Sequence, residues 1–132
     1  YEDVQAEVLK IKEEADDLRN FALNIIDEDR VVLDKILKTY KLRKEEPMFY
    51  ENACKDGVDF CVEVTKKAES TLKLGERVEK VGNRMLASDF EICKNYAVAS
   101  IKASIVNVEV NLKSVSDEEY VREIRNWIRD IK

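Results

Sequence analysis

Segment 82–112 holds the residues whose types and spacing are best suited to chemistry. It begins with a turn pattern, continues into a predicted helix start and ends in a helical run with two amides; the residues concerned are Gly82, Asn83, Ser88, Asp89, Asn107 and Asn111. A carboxylate, a hydroxyl and several amide groups can bind a polar ligand or transfer a proton. Polar residues elsewhere follow the pattern of solvated helix surfaces, so this segment is the first candidate for a site.

The composition limits which chemistry is available. The 132 residues contain no histidine, which removes the usual general base near neutral pH and the commonest metal ligand. Acid–base work therefore falls to Asp, Glu, Lys, Tyr or Cys, and we expect no metal. Cys54, Cys61 and Cys93 are an odd number of widely spaced cysteines, which predicts reduced thiols in a cytoplasmic protein rather than a disulfide framework.

Charge and hydropathy exclude two classes of partner. The formal net charge of −5 argues against non-specific binding of nucleic acid, although it leaves room for a local basic pocket. No apolar run reaches the roughly 18 residues that a membrane-spanning helix needs, so we expect no membrane span. Charged residues make up 39% of the chain, with 3 Gly and 1 Pro, and this balance is typical of long amphipathic helices.

Apolar residues recur at steps of three and four along almost the whole chain, which predicts amphipathic helices. The first run covers residues 4–40, and segment 27–29 within it either continues one helix or starts another. Residues 42–47 are predicted to form a connection, because Pro47 disfavours helical backbone at the residue before it. A further helix follows over residues 48–72.

Three signals place the remaining helix boundaries. Gly82 is predicted to end the preceding helix, whether or not residues 76–81 extend it, and Asn83 is typical of a turn that tolerates left-handed backbone. Ser88 with Glu91, and Ser116 with Glu119, make capping-box patterns at two helix starts. No segment alternates over a useful length as a strand would. We therefore predict one all-α domain over residues 1–132, an antiparallel bundle of four to six helices.

The predicted helix over residues 89–115 is apolar on more than one side, which predicts burial in the middle of the bundle. Four polar residues nevertheless share one stripe at steps of four, three and four: Ser100, Ser104, Asn107 and Asn111. An unpaired buried polar group costs about 1–3 kcal/mol, so buried amides need partners. Those partners are either neighbouring helices or a ligand. For Asp89, the alternatives are a carboxylate favoured by the helix dipole and a catalytic group.

The order and spacing of these pieces resemble the formiminotransferase-cyclodeaminase family, specifically its cyclodeaminase/cyclohydrolase domain. The matching pieces are Tyr1, Ile26-Asp27-Glu28-Asp29, Tyr40-Lys41-Leu42-Arg43-Lys44, Gly82-Asn83, Ser88-Asp89 and Asn107-Val108-x-Val110-Asn111-Leu112. The resemblance covers nearly the whole chain. It implies an all-α homo-oligomer, with a dimer as the first expectation. It also implies that the substrate is a tetrahydrofolate derivative.

The resemblance also implies a reaction. Cyclodeaminases of the family close 5-formiminotetrahydrofolate to the 5,10-methenyl compound and release ammonia, and related members hydrolyse the methenyl bridge. Both steps pass through a tetrahedral carbon and need proton transfer, which a carboxylate and an ammonium group can supply without histidine or metal.

Matching positions imply roles for individual residues. Asp89 is implied as the acid–base group or as a hydrogen-bond partner of the pterin, and Lys44 as the group that stabilises a substrate anion or moves a proton. Substrate-binding roles are implied for Asn83, Asp29, Ser88, Asn107 and Asn111. By residue type alone, Asp29 and Lys44 are ordinary surface charges.

The chain departs from the family pattern in several places. Arg43 stands where proline is usual, and Glu109 stands where a basic residue is common. The family's glycine-rich N-terminal segment does not precede Tyr1 in the sequence, so we expect either that it lies upstream or that this is a divergent, inactive member. A non-catalytic helical binding or assembly module is the alternative to an enzyme. A chorismate-mutase-like enzyme is a third option, but it needs several converging arginines, and the sequence shows no evident cluster.

Overall fold

A computed structural model describes residues 2–131, and this part of the chain is all-α. The described part has four α-helices: α1 (Glu2–Lys41), α2 (Pro47–Val81), α3 (Ala87–Leu112) and α4 (Glu118–Ile131). A short 3-10 helix (Arg84–Leu86) precedes α3. The prediction of an all-α bundle of four to six helices is confirmed at its lower limit. Tyr1, one of the pieces of the family resemblance, lies outside the described residues.

α1 is one helix of 40 residues, so segment 27–29 continues it and does not start another. It contains no glycine or proline, and therefore nothing in its sequence interrupts the backbone hydrogen bonds. The predicted connection before Pro47 is confirmed, because residues 42–45 form a turn and Pro47 is the first residue of α2. Proline is well suited to this position, since the first helical N–H has no partner within the helix.

α2 continues through Gly57 and Gly75 and ends at Val81, so residues 76–81 extend it. Gly82 ends the helix as predicted, but without left-handed backbone, since no described residue has a positive φ. A Cβ atom on Gly82 would lie 2.6 Å from the carbonyl oxygen of Val78 and 2.8 Å from the ring of Phe90. Glycine is needed here because of the close approach of its neighbours.

Both predicted capping boxes are displaced from the observed helix starts. α3 begins at Ala87, directly after the 3-10 helix, which places Ser88 one residue inside α3. α4 begins at Glu118, and its cap is Asp117, whose Oδ1 accepts a hydrogen bond from the Tyr120 N–H at 3.2 Å. The sequence pattern thus located both helix starts but assigned the wrong capping residue to each.

The described chain divides into two compact units. Each of α1, α2 and α3 has one part in the first unit and the other part in the second. The first unit holds the chain up to Asp27 together with Val64–Lys102. The second unit holds Glu28–Glu63 together with the chain from Ala103 onward, which includes α4.

In the first unit, the buried core combines apolar residues of three helices: Ile11, Ala68, Leu74 and Ala97. Arg77 of α2 pairs with two carboxylates of α1, at 2.9 Å from Glu7 and 2.6 Å from Glu14. Nearer the start of α2, Lys67 lies over the ring of Phe21. The two helices therefore run antiparallel. These ion pairs are partly exposed and screened by solvent, so they fix the helix register more than they stabilise the fold.

In the second unit, the buried core includes Ala53, Val58, Val108, Leu112 and Ile128. A Cβ atom on Gly57 would lie 3.0 Å from Cδ1 of Ile36 and 3.1 Å from Nδ2 of Asn111, so the glycine allows α1 and α3 to approach α2. The Tyr50 hydroxyl donates a hydrogen bond to Ser114 Oγ at 3.2 Å. Because Gly57 contacts Asn111 while Tyr50 contacts Ser114, α2 and α3 run antiparallel.

The start of α4 is fixed to α2 by a carboxylate and a lysine. The Glu51 carboxylate accepts hydrogen bonds from the backbone N–H groups of Ser116 at 2.7 Å and Asp117 at 3.0 Å. Lys55 lies 2.9 Å from the Asp117 carboxylate. Each of these pairs is more than 60 residues apart in the sequence, so no local pattern indicates them.

α3 buries only one of its apolar sides. On the other side, large apolar residues expose more than half of their surface: Ile92, Tyr96, Val106 and Val110. The prediction that α3 lies in the middle of the bundle is therefore wrong for the described chain. On the polar stripe, Ser104 is buried, Asn111 is half-buried, and Ser100 and Asn107 are exposed, so the two amides do not need protein partners.

Candidate functional site

Segment 82–89 of the first unit forms an exposed turn and helix start. Asn83 has extended backbone (φ −70°, ψ 128°), and its Oδ1 accepts a hydrogen bond from the Met85 N–H at 3.0 Å. Asn83 therefore caps the 3-10 helix, and the expectation of left-handed backbone at this residue is wrong. No hydrogen bond of the described residues uses its Nδ2 group, which leaves those donors available to a ligand.

Ser88 and Asp89 lie in the first turn of α3, and both are exposed. The Asp89 carboxylate lies at the positive end of the helix dipole, an interaction worth about 0.3–1 kcal/mol. It has no ion pair or hydrogen bond with another described residue. The next residue, Phe90, packs against Gly82 and fixes the start of α3. A free carboxylate, a hydroxyl and an amide thus share one accessible turn.

An apolar groove of about 420 Å³ lies in the first unit, with walls from α1, α2 and α3. Most of its lining is aliphatic or aromatic, and includes Ile11, Leu18, Leu74, Val78 and Phe90. Arg19 contributes a cation to the lining. Small-molecule sites typically occupy roughly 300–1,000 Å³ and have mostly apolar walls with a few polar groups. Because Phe90 follows Asp89 directly, the groove adjoins the polar segment 83–89.

In the second unit, three predicted residues of α1 and α3 lie beside one stretch of α2. Asn111 is half-buried beside Gly57, and its amide forms no hydrogen bond with another described residue. Asn107 is exposed and lies one turn before Asn111 on α3. Because α2 and α3 run antiparallel, the residue of α2 at the same level is Cys61, one turn after Gly57. Burial, with the nearby negative charge of Asp29 adding to it, raises the pKa of the Cys61 thiol to about 11. Asp29 therefore lies near the same part of α2.

Lys44 lies exposed in the turn between α1 and α2. No hydrogen bond or ion pair joins it to another described residue. The adjacent Arg43 guanidinium stacks on the Tyr40 ring at 3.7 Å from its centroid, and that ring meets Tyr50 edge-on at 5.6 Å. This cluster holds the turn against the start of α2, so Lys44 extends from a fixed backbone.

The predicted site residues are therefore distributed over both units. Asn83, Ser88 and Asp89 belong to the first unit. The second unit contains Asp29, Lys44, Asn107 and Asn111.

Three arginines on α4 were missed in the sequence. Arg122, Arg125 and Arg129 line a groove of about 370 Å³ in the second unit, together with Ser116 and Asn126. Their spacing of three and four residues on a predicted helix was the signal that could have revealed them. The expectation that the chain has no arginine cluster is therefore wrong.

The described residues contain no group of three or more His, Cys, Asp or Glu side chains arranged to hold a metal ion. Among residues 2–131, no helix is both long enough and apolar enough to cross a membrane. Cys54, Cys61 and Cys93 are free thiols, as predicted.

Comparison with known proteins decides the family. A family model described as formiminotransferase-cyclodeaminase matches residues 1–130. The chain belongs to this family. The resemblance carried by the ordered sequence pieces is thereby confirmed.

One curated relative in the formiminotransferase-cyclodeaminase family is the methenyltetrahydrofolate cyclohydrolase of Methylorubrum extorquens, which is 25% identical to this chain over 130 residues. The match covers 93% of this chain and 62% of that protein, so the chain spans about three fifths of the relative's length. Family membership applies to the chain as a whole. The roles of Asp89, Lys44 and the five predicted binding residues remain predictions.

Proposed function

We propose that this member of the formiminotransferase-cyclodeaminase family acts on the one-carbon group of a tetrahydrofolate, as a methenyltetrahydrofolate cyclohydrolase or a formiminotetrahydrofolate cyclodeaminase. The observation that carries the proposal is the family match over residues 1–130. Because the relative is named a methenyltetrahydrofolate cyclohydrolase, hydrolysis is the first candidate reaction. The cyclodeaminase reaction, an ammonia-lyase step, is the second candidate.

Both reactions need proton transfer around a tetrahedral carbon. In the hydrolysis, water adds to the methenyl carbon and gives up a proton, and one carbon–nitrogen bond then breaks as its nitrogen takes up a proton. In the cyclodeamination, the second folate nitrogen adds to the formimino carbon and loses its proton, the formimino nitrogen takes up a proton, and its bond to that carbon breaks as ammonia leaves. Because the chain has no histidine, carboxylate and ammonium groups are the natural proton carriers.

For Asp89 we propose the acid–base role. Its carboxylate is exposed and has no partner among the described residues, so it is free to accept a proton. Asn83 and Ser88 lie in the same turn and are proposed to bind polar edges of the substrate. The apolar groove that Phe90 helps to line suits the flat ring system of a folate.

In the second unit, the proposal gives Lys44 an electrostatic role toward an anionic substrate group. Its ammonium has no carboxylate partner among the described residues, which supports that role. Asn107, Asn111 and Asp29 are proposed to bind substrate, and the unbonded Asn111 amide is the strongest of the three.

The test is an assay of the purified chain with each substrate. Loss of the methenyltetrahydrofolate absorbance is expected for a cyclohydrolase, and ammonia release from the formimino compound is expected for a cyclodeaminase. Asp89→Asn should lower kcat strongly with the fold intact. Glu119→Gln is the matched control, because it removes another exposed carboxylate from the first turn of a helix. Equal kcat values in the two variants would remove Asp89 from the mechanism.

A second candidate function is a non-catalytic assembly module, or an inactive member of the family. The apolar residues exposed along α3, such as Ile92 and Tyr96, favour self-association. We propose a homodimer in either case, and a cytoplasmic location that agrees with the three free thiols. Light scattering after size-exclusion chromatography tests the dimer, and a monomer at micromolar concentration contradicts it.

Thermal melting with a folate separates the two functions. A ligand at 100 times its Kd adds about 2.7 kcal/mol to the free energy of unfolding, which is readily measured as a rise in Tm. An enzyme of this class should show that rise together with turnover. Absence of both at millimolar folate would leave the assembly module as the function.

A further inference from the structure

The groove on α4 combines three cations on one side of a helix. Arg122, Arg125 and Arg129 all line this groove, which has a volume of about 370 Å³ and lies in the second unit. Residues three and four apart share a helix face, so the three guanidinium groups extend over the same concavity. With a rise of 1.5 Å per residue, the first and last α-carbons are roughly 10 Å apart along the helix axis.

None of these three arginines has a partner in the described chain. Arg77 pairs with two carboxylates and Lys94 pairs with Glu79, whereas other basic side chains, Lys44 among them, have no ion pair in the described chain. No ion pair or hydrogen bond joins Arg122, Arg125 or Arg129 to another described residue. What distinguishes the three arginines from other unpaired cations is their position, since all three line one groove on one helix.

The carboxylates around the groove compensate only part of its positive charge. Glu118 is the one carboxylate in the lining, and it lies in the first turn of α4, beside Arg122. Glu109 flanks a second depression on the side of Arg125 and Arg129, and it has an interaction of its own. Asn126 adds an amide donor to the lining. Two carboxylates therefore stand beside three guanidiniums, so the groove keeps an excess of positive charge.

We propose that this groove is a binding site for a small elongated anion that carries at least two carboxylate or phosphate groups several ångströms apart. A guanidinium binds either group through two parallel hydrogen bonds, and three in a row match two or three such groups along one molecule. Apolar Val115 and Val121 in the lining suit the uncharged part between the groups. The site shares no residue with the positions proposed for folate chemistry, so it stands or falls independently of that function.

The test uses the fluorescence of Trp127, the single tryptophan of the chain, which lies on α4 next to Asn126. The chain is titrated at low ionic strength with tricarballylate, with inorganic pyrophosphate and with acetate as the single-charge control; calorimetry confirms each Kd. Saturable binding of either polyanion, much tighter than that of acetate, is expected. Tighter binding of tricarballylate identifies a polycarboxylate ligand, and tighter binding of pyrophosphate identifies a phosphate-bearing one.

Matched variants separate a specific site from the effect of overall charge. The triple variant Arg122→Gln, Arg125→Gln, Arg129→Gln should bind the preferred polyanion about tenfold more weakly or worse. The triple variant Lys66→Gln, Lys73→Gln, Lys80→Gln removes the same charge from exposed residues of α2 and should bind within about twofold of the unchanged chain. Arg125→Lys should also weaken binding, because an ammonium cannot form the paired hydrogen bonds.

Three results would overturn the site: no saturable binding at millimolar polyanion, equal weakening in the two triple variants, or acetate binding as tightly as the polyanions. Circular dichroism of each variant confirms that α4 is still folded. Calorimetry of the unchanged chain does not depend on any variant, so a variant that fails to fold leaves the proposal open to refutation.

Discussion

The ring of Phe90 occupies the space that a side chain on Gly82 would need. A Cβ atom at residue 82 would lie 2.8 Å from two ring carbons and 2.6 Å from the carbonyl oxygen of Val78, both closer than real contacts. This packing joins the end of α2 to the start of α3. It therefore also sets where the Asp89 carboxylate stands.

Gly82→Ala should destabilise the chain by about 1–3 kcal/mol, because the neighbours of residue 82 include backbone that cannot move aside. Gly75→Ala is the control. A Cβ atom there would lie 3.5 Å from its nearest neighbour, and alanine within a helix is better than glycine by about 0.5–1 kcal/mol. Urea unfolding followed by circular dichroism measures both. The interpretation of Gly82 is wrong if the two variants are equally stable.

Stability should fall at acid pH through the contacts that hold α4. Burial acts to raise the pKa of Glu51, but hydrogen bonds from Ser116 and Asp117 outweigh it and bring the pKa below the ordinary 4.5. The hydrogen bond from Lys55 likewise lowers the pKa of Asp117. Both carboxylates bind protons more weakly in the folded chain, so their stabilisation is complete above about pH 5 and is lost as the pH falls through the folded values.

Glu51→Ala should cost about 0.5–2 kcal/mol at neutral pH, as the loss of a helix cap does, and the cost should shrink at about pH 3. Glu63→Ala removes an exposed carboxylate from the same helix and should show little change at either pH. Urea unfolding at the two pH values gives the comparison. A cost for Glu51→Ala that does not depend on pH would mean that its charge plays no part in holding α4.

The helices could be predicted because their signals are local. The apolar period gave α1 and α2, Pro47 gave the connection between them, and Gly82 gave the end of α2. Caps were less predictable, because more than one residue near each helix start can cap it. Asn83 and Asp117 cap where Ser88 and Ser116 were expected.

The candidate site was predictable in its residues but not in its grouping. The polar segment 83–89 could be recognised because its members are neighbours in the sequence. The contact of Asn111 with Gly57 joins residues far apart in the sequence, and the hydrogen bonds of Glu51 do the same, so no local spacing encodes them. The burial of α3 was mispredicted because the period of apolar residues shows only which sides of a helix are able to pack. Which of those sides is actually buried depends on the neighbouring helices.

Thiol reactivity should distinguish one cysteine from the other two. Cys54 and Cys61 are buried, and burial raises the pKa of both thiols, that of Cys61 to about 11. Since the thiolate is the reactive form, both should react slowly at about pH 8. Cys93 is only half-buried, so a disulfide reagent should modify the Cys93 thiol quickly and the other two slowly. Cys93→Ser should remove the fast phase, and its persistence would place a reactive thiol elsewhere. Denaturant should expose all three.

Gly57→Ala tests whether Asn111 binds substrate without changing Asn111 itself. A Cβ atom at residue 57 would crowd the Asn111 amide at 3.1 Å and the tip of Ile36 at 3.0 Å, and both are ends of flexible side chains that can shift by a few tenths of an ångström. The gain in helix propensity, about 1 kcal/mol, offsets much of that crowding, so the free energy of unfolding should change little.

The amide of Asn111 would nevertheless be displaced. If it binds the folate, KM should rise while kcat stays nearly constant, since the interaction is lost equally from the bound substrate and the transition state. Gly75→Ala makes the same change in α2 and controls for helix propensity in the unfolding measurement, but not for KM, because Gly75 lines the apolar groove proposed for the folate. An unchanged KM in Gly57→Ala, with Asn111→Ala equally silent, would show that this amide serves helix packing alone.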